Sequence, residues 1–249
     1  NAIVGVVLKK AEELADLTAE LERSNKELEA FSYSVSHDLR APLRHVVGYA
    51  EMLREGAGDR LSDRDRRCVA TIIESSEFAG TLVDRLLAFA RLGRGELSKV
   101  RVDMNAVVRD ARRDLEPGLA GRSVTWAVAD LPAVSGDVMM LRLAVKNLLE
   151  NAVKYTRARP EARIEVTAHA DGGEVVFAVR DNGVGFDMRY VGKLFGVFQR
   201  LHRMEDYEGT GIGLANVRRI AERHGGRAWA EGQEGRGATF YFSLPGPAG

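Results

Sequence analysis

Apolar side chains recur in alternating steps of three and four through the first third of the chain. Ile3, Val7, Leu14, Leu17, Leu21, Leu28, Phe31 and Val35 fall on one helical face with the polar residues Lys10 and Ser24. That is a heptad seam whose two polar breaks can fix register. The run has no internal cap, so the pattern predicts a coiled coil over residues 1–30 leading into a helical hairpin over 31–91. The hairpin turns near Gly56–Asp63, where Ser62 and Asp65 have capping-box spacing, with Asp in place of the usual Glu or Gln. The rhythm returns at Val69, Ile72, Ser76, Ala79, Val83, Leu86 and Ala90. Each arm thus carries an apolar stripe, and one hairpin cannot cover both. A second copy can, by completing a four-helix bundle, so a homodimer is expected.

Composition changes at Leu92–Val100, which reads as a linker. Over residues 101–246 helical and strand patterns alternate. Asp103 is placed to cap a helix running to about Leu119, and Asp137 to cap the helix that carries Asn147 and Asn151. Ser123–Val128 has strand character. ARIEVTAHA and EVVFAVRD, separated by Asp171-Gly172-Gly173, predict a β-hairpin. A helix from about Ile212 to His224 ends at Gly225-Gly226, and RAWAEG and ATFYFSL complete the sheet. Hairpins with helices gathered on one face predict an α+β sandwich, not a doubly wound sheet.

Bulk composition narrows the picture further. The 249 residues are 45% hydrophobic and 29% charged, enough for real cores in two modest domains. Lys plus Arg and Asp plus Glu number 36 each, which offers nucleic acid or an anionic membrane no overall attraction. No stretch approaches 18 consecutive apolar residues, so no membrane insertion is expected in this segment. The lone Cys68 cannot form an internal disulfide, which fits a reducing cytoplasm, and its helical position reads as packing. The opening NAIVGVVLKK reverses the order of a secretory signal and lacks an initiator Met, so the chain reads as cut from a longer one.

Four polar motifs then stand out by their order. SHDLRAPL (Ser36 to Leu43) lies in the first helix, off the heptad seam, and presents His37 between Ser36 and Asp38. A neutral imidazole is a competent nucleophile near neutral pH, and an adjacent carboxylate can hold its tautomer or take its proton. NLLENAVKY (Asn147 to Tyr155) places Asn147 and Asn151 one turn apart on one face, beside Lys154 and Tyr155. Carboxamide oxygens suit Mg²⁺, which keeps several waters while bridging phosphates. DNGVGF (Asp181 to Phe186) follows a strand of valines; its carboxylate can accept from an exocyclic amine such as that of adenine. GTGIGLA (Gly209 to Ala215) opens a helix whose free N–H groups make an anion site. The polar segment between Asp187 and Glu208, with Phe195 and Phe198 in it, has the length of a lid.

Taken together these motifs resemble the catalytic part of sensor histidine kinases of two-component systems, from the dimerisation and phosphotransfer hairpin through the gyrase-like ATP-binding domain. SHDLRAPL resembles the H box, NLLENAVKY the N box, DNGVGF the first G box, KLFGVFQRLH (Lys193 to His202) the F box and GTGIGLA the second G box. The resemblance implies that His37 is the phosphorylated histidine and Asp38 its acid/base neighbour. It implies Asn151 as the chief Mg²⁺ ligand, assisted by Asn147, and Asp181 as the adenine-reading carboxylate. It places ATP also against Lys154, Tyr155, Gly183, Gly185, Arg200, Leu201, Gly209, Thr210, Gly211, Ile212, Gly213 and Leu214. The wording around SHDLRAPL further resembles the output module of bacterial phytochromes, which implies an upstream red-light sensor on the same polypeptide.

The reaction this implies has two stages: His37 takes the γ-phosphoryl group of ATP·Mg²⁺, then passes it to an aspartate of a response-regulator receiver domain. Positioning and charge neutralisation suffice for such transfers, which suits a chain with metal ligands and N–H cradles. Three rivals compete with it: a dimeric scaffold that binds ATP without catalysis, a plain ATPase, and a net phosphatase of the phospho-regulator. Ala41 argues against the last. Many family members carry Thr or Asn there to position water, and a methyl group cannot.

Overall fold

The structure is a computed structural model, which describes residues 10, 34, 38–92, 96–201 and 207–246. Apart from Lys10, the expected coiled coil over 1–30 lies outside the described residues, and so does His37. The chain divides into two units, Asn1–Arg91 and Leu92–Gly249.

In the first unit, helix α1 occupies the described residues 38–57, with Pro42 inside it, and a 3₁₀ turn at Gly58–Arg60 leads to α2 (Asp63–Leu92). The start of α2 is held as its sequence predicts. Ser62 Oγ accepts the Asp65 N–H at 3.2 Å and donates to Asp65 Oδ2 at 2.7 Å, a cap of a kind that contributes about 1 kcal/mol. The Arg66 Nε donates to the Gly58 carbonyl at 2.8 Å, closing the turn, and Arg40 pairs with Asp84 across the two helices. Ala50, Val69 and Ile73 form the small core between the arms.

The expected stripe on α2 divides in two. Val69, Ile73, Ser76 and Leu87 are buried, whereas Ile72 and Leu86 are 46% and 39% exposed. Leu39, Val46 and Leu53, seven residues apart on α1, are exposed as well, with Tyr49 and Met52 beside them. One face of each arm closes the hairpin and another is left uncovered in the single chain. Cys68, read from the sequence as a packing residue, is exposed on α2, because the buried face passes through its neighbour Val69.

The second unit is the expected α+β sandwich. Five strands run in the order β2-β4-β5-β7-β6: Val124–Val128, Ala162–Asp171, Glu174–Asp181, Gly237–Pro245 and Ala228–Gln233. All neighbours are antiparallel except β2 and β4. The β4–β5 hairpin closes with Gly172 and Gly173 at φ 54° and 87°, the paired positive angles that a two-residue type I′ connection demands. Helices α3 (Met104–Leu115), α4 (Val138–Tyr155) and α5 (Gly213–Arg223) pack together with the sheet around one apolar core. Directly opposite on β5 and β7, Phe177 and Phe242 stack with centroids 5.0 Å apart.

Both predicted caps are present. Asp103 accepts from Asn105 N–H at 2.9 Å, and Asp137 from Met139 and Met140 N–H at 3.0 and 3.1 Å. Two details differ from the expectation. α3 stops at Leu115 and passes into a 3₁₀ turn at Glu116–Leu119, where Pro117 withholds its N–H. A two-stranded sheet of β1 (Val100–Val102) and β3 (Val134–Gly136), absent from the sequence reading, brackets α3.

Buried His224, at the end of α5, ties this frame together. Its Nε2 accepts the Asp137 N–H at 3.0 Å, which leaves Nδ1 as the donor to the Ile220 carbonyl at 2.7 Å. That pairing requires the neutral ring, and burial lowers its pKa below the usual 6.5.

Candidate functional site

Three segments meet at the C-terminal half of α4. The carbonyl of Tyr155, at the helix end, accepts the Val184 N–H at 3.2 Å, which seats the 181–185 turn against the helix. The loop that opens α5 meets the same helix twice: a Cβ built on Gly213 would lie 3.2 Å from Asn147 Oδ1, and one on Gly209 would lie 3.2 Å from Lys154 Nζ. Motifs that are separated by more than 20 residues in the chain therefore share one site, and glycines occupy the points of closest approach.

Asn147 is 8% exposed and its Nδ2 has no hydrogen-bond partner among the described residues; Asn151, one turn on, is half-buried. Lys154 Nζ lies 4.3 Å from the centroid of the Tyr155 ring, which itself packs against Tyr207 at 5.1 Å. Burial raises the Tyr155 pKa, so its hydroxyl stays protonated and able to donate.

Asp181 ends β5 and is 3% exposed. Its Oδ1 accepts the Gly183 N–H at 2.8 Å, while Oδ2 has no partner among the described residues. Burial raises its pKa to about 6, against the pull of the backbone N–H groups of Gly183 and Ala238. A buried carboxylate with one satisfied and one orphaned oxygen is costly unless something donates to the second. The turn that follows has no room for a side chain at either of its glycines. A Cβ on Gly183 would come within 2.5 Å of the Tyr155 carbonyl oxygen, and one on Gly185, at φ 64°, within 1.9 Å of that of Gln233. Asn182 stitches the turn to β4: its Oδ1 accepts Arg163 N–H at 2.8 Å and its Nδ2 donates to the Glu161 carbonyl at 2.9 Å.

On the third side, α5 begins at Gly213 with no side-chain cap, so its first N–H groups are open to an anion. Thr210 and Ile212 are buried and Leu214 half-buried. Gly211 accepts the Phe198 N–H at 3.0 Å. Phe198 has φ 61°, uncommon for a bulky residue, at the point where the 187–208 segment touches the glycine loop. That segment starts as a 3₁₀ turn, Met188–Lys193. Arg200 donates to the Tyr207 and Gly209 carbonyls, the latter at 2.7 Å, and so braces the loop's return; Leu201 is half-buried.

Sequence reasoning missed two side chains here. Arg159 hydrogen-bonds the 181–185 turn, and Asn216, buried on α5 a turn beyond Gly213, has an Oδ1 with no partner among the described residues. Neither belongs to a glycine-rich or carboxamide motif, so no local signal marked them. In the first unit, Asp38 is exposed and accepts from Ser34 Oγ at 3.4 Å.

The donor set bears on a metal. The side-chain oxygens it offers are those of two carboxamides on one helix face, a set too small to hold an ion alone but suited to Mg²⁺ that arrives on phosphates. The unpartnered Asn147 Nδ2 is an N–H donor, so the group it suits is a phosphate oxygen and not the metal itself.

Comparison with known proteins gives the same division. Residues 27–95 match the His Kinase A (phospho-acceptor) domain, and residues 136–248 match the histidine kinase-, DNA gyrase B- and HSP90-like ATPase. The chain is 36% identical over 245 residues to cyanobacterial phytochrome A of Nostoc sp., covering 98% of this chain and 32% of that protein. It is 39% identical over 236 residues to the methanogenesis regulatory histidine kinase FilI of Methanothrix harundinacea, covering 94% of this chain and 26% of that one. The crystal structure of full-length ShkA in complex with AMPPNP matches 86% of this chain and 45% of its own, at 34% identity and a TM-score of 0.63. The chain spans about a third of the length of the phytochromes it matches. No described helix is long and apolar enough to cross a membrane.

Proposed function

Since the chain belongs to the sensor histidine kinases, we propose that it autophosphorylates His37 from ATP and passes the phosphoryl group to an aspartate of a response-regulator receiver domain. The observation that carries this reading is the buried Asp181 with its orphaned Oδ2, set beside the Asn147–Asn151 face and the uncapped start of α5. An adenine amine donates to Oδ2, and the ring stacks in the region of Tyr155 and Tyr207. The triphosphate lies toward Lys154 and the N–H groups of residues 209–214, with Arg200 and Leu201 on the segment that covers it. Asn151 and Asn147 would hold Mg²⁺, which would supply neutralisation of the phosphate charge. Gly183, Gly185, Gly209, Gly211 and Gly213 keep the backbone close to the nucleotide.

His37 supplies the nucleophilic nitrogen and Asp38 orients it or takes its proton, in the same subunit or the partner's. The exposed faces of α1 and α2 support the homodimer that would bring two such hairpins together. The phytochrome relatives support an upstream red-light sensor on the same polypeptide, acting through the coiled coil by a change of helix register or rotation. ATP as donor and a receiver aspartate as acceptor would support a cytoplasmic site for this reaction.

Incubation with γ-labelled ATP and Mg²⁺ tests the proposal. Wild type takes up label and passes it to an added receiver domain, while His37→Gln and Asn151→Asp take up none. Label on His37→Gln, or free phosphate released equally by both proteins, would overturn it.

A further inference from the structure

The carboxylate that reads the base is held in place by a side chain outside every motif. We propose that Arg159 is a positioning residue, fixing Asp181 through a single peptide unit so that one oxygen stays turned to the ligand. The proposal rests on the nucleotide reading above and adds what gives that site its choice of base.

Arg159 follows the turn that closes α4, where its N–H donates to the Thr156 carbonyl at 2.9 Å. Its guanidinium then reaches three carbonyls: Nε to Asn182 at 2.8 Å, and Nη2 to Gly183 at 3.0 Å and Gly235 at 2.5 Å. The Asn182 carbonyl and the Gly183 N–H belong to the same peptide group. In a planar trans peptide the two point in opposite directions, so fixing the carbonyl fixes the N–H. That N–H donates to Asp181 Oδ1 at 2.8 Å. A charged donor on the carbonyl also polarises the peptide and strengthens donation from its far end.

The consequence is asymmetry in the carboxylate. Oδ1 is pinned by Gly183 and Oδ2 is left without a partner among the described residues. The third bond, to Gly235, ties the same turn to the β6–β7 connection, which meets it again through Gly235 N–H to the Val184 carbonyl at 2.7 Å. Lys cannot reproduce this. A single ammonium lacks the planar fork that meets three carbonyls at fixed angles.

The test compares Kd for Mg·ATP with that for the triphosphate of purine riboside, which lacks only the 6-amino group. It uses wild type, Arg159→Ala, Arg159→Lys and Asp181→Asn, with thermal unfolding as a check on folding. Wild type prefers ATP. Arg159→Ala reduces that preference about tenfold, the scale of one hydrogen bond to a charged group, and Arg159→Lys reduces it less. In an Asp181→Asn background, Arg159→Ala changes the preference no further, since it acts through the absent carboxylate. Should Arg159→Ala fail to fold, Arg159→Lys carries the test together with amide exchange at Gly183, which speeds up if the peptide is released. Wild-type discrimination kept intact in the Arg159 variants overturns the proposal. No discrimination by wild type overturns the underlying reading of Asp181 instead.

Discussion

Replacing Asp181 by Asn separates what this residue costs the fold from what it gives the ligand. Its pKa rises from 3.8 to about 6 on burial. That is some two units, or about 3 kcal/mol at ~1.4 kcal/mol per unit, and with 3% exposure there is little solvent to screen it. The sign follows from proton counting. Between pH 3.8 and about 6 the native state holds the proton that the unfolded state has lost, so this residue's contribution falls as pH rises and its cost is complete above about 6. Asn keeps the acceptor for the Gly183 N–H but places an unpartnered N–H₂ where Oδ2 was, returning about 1 kcal/mol or more of the gain. The variant should therefore be about 1–2 kcal/mol more stable than wild type without nucleotide at pH 8, a rise in Tm of roughly 3–6 °C for a unit of this size. Near pH 4.5 the advantage disappears. Thermal melts at both pH values, with and without Mg·ATP, check this; the nucleotide raises the wild-type Tm more than it raises the variant's. A variant less stable than wild type at pH 8, or an equal ligand shift in both, would refute the reasoning.

Three further outcomes follow from the same geometry. His224 behaves in the opposite sense: its lowered pKa means its contribution is complete above pH 6.5 and is lost as pH falls below it. Urea melts of wild type and His224→Leu at pH 7.5 and 5.5 should show a smaller pH effect in the variant, which is also less stable at pH 7.5. A Cβ at Gly213 meets Asn147 Oδ1 at 3.2 Å, so Gly213→Ala should weaken Mg·ATP binding about tenfold by calorimetry while changing stability by less than ~1 kcal/mol. Ala41→Thr, which restores a hydroxyl able to orient water, should speed loss of label from a phosphorylated receiver in the presence of ADP, without abolishing autophosphorylation.

The motifs and their order were legible in the chain because each depends on local chemistry: caps at Asp103 and Asp137, glycines where backbones touch, carboxamides a turn apart. What was not legible depends on tertiary pairing. β1 and β3 are three residues each, too short to show alternation, and exist because they pair with each other. Periodicity alone could not divide the α2 stripe, since Ile72 and Ile73 are equally apolar and only the packing of α1 decides which is buried. Arg159 works through backbone carbonyls, which leave no trace in the spacing of side chains. Even the orphaned oxygen of Asp181 was invisible, because a sequence shows a carboxylate but not how many donors reach it.

On the proposed function, the nucleotide site delivers the γ-phosphoryl group to one imidazole. Mass-spectrometric mapping of the phosphate after reaction with Mg·ATP, on peptides kept at alkaline pH to preserve an N–P bond, tests it most directly. Phosphate is expected on His37 of the wild type, reduced in Asp181→Asn and absent from Asn151→Asp. Phosphate on any other residue, or ATP consumed with no adduct on the chain, would contradict it.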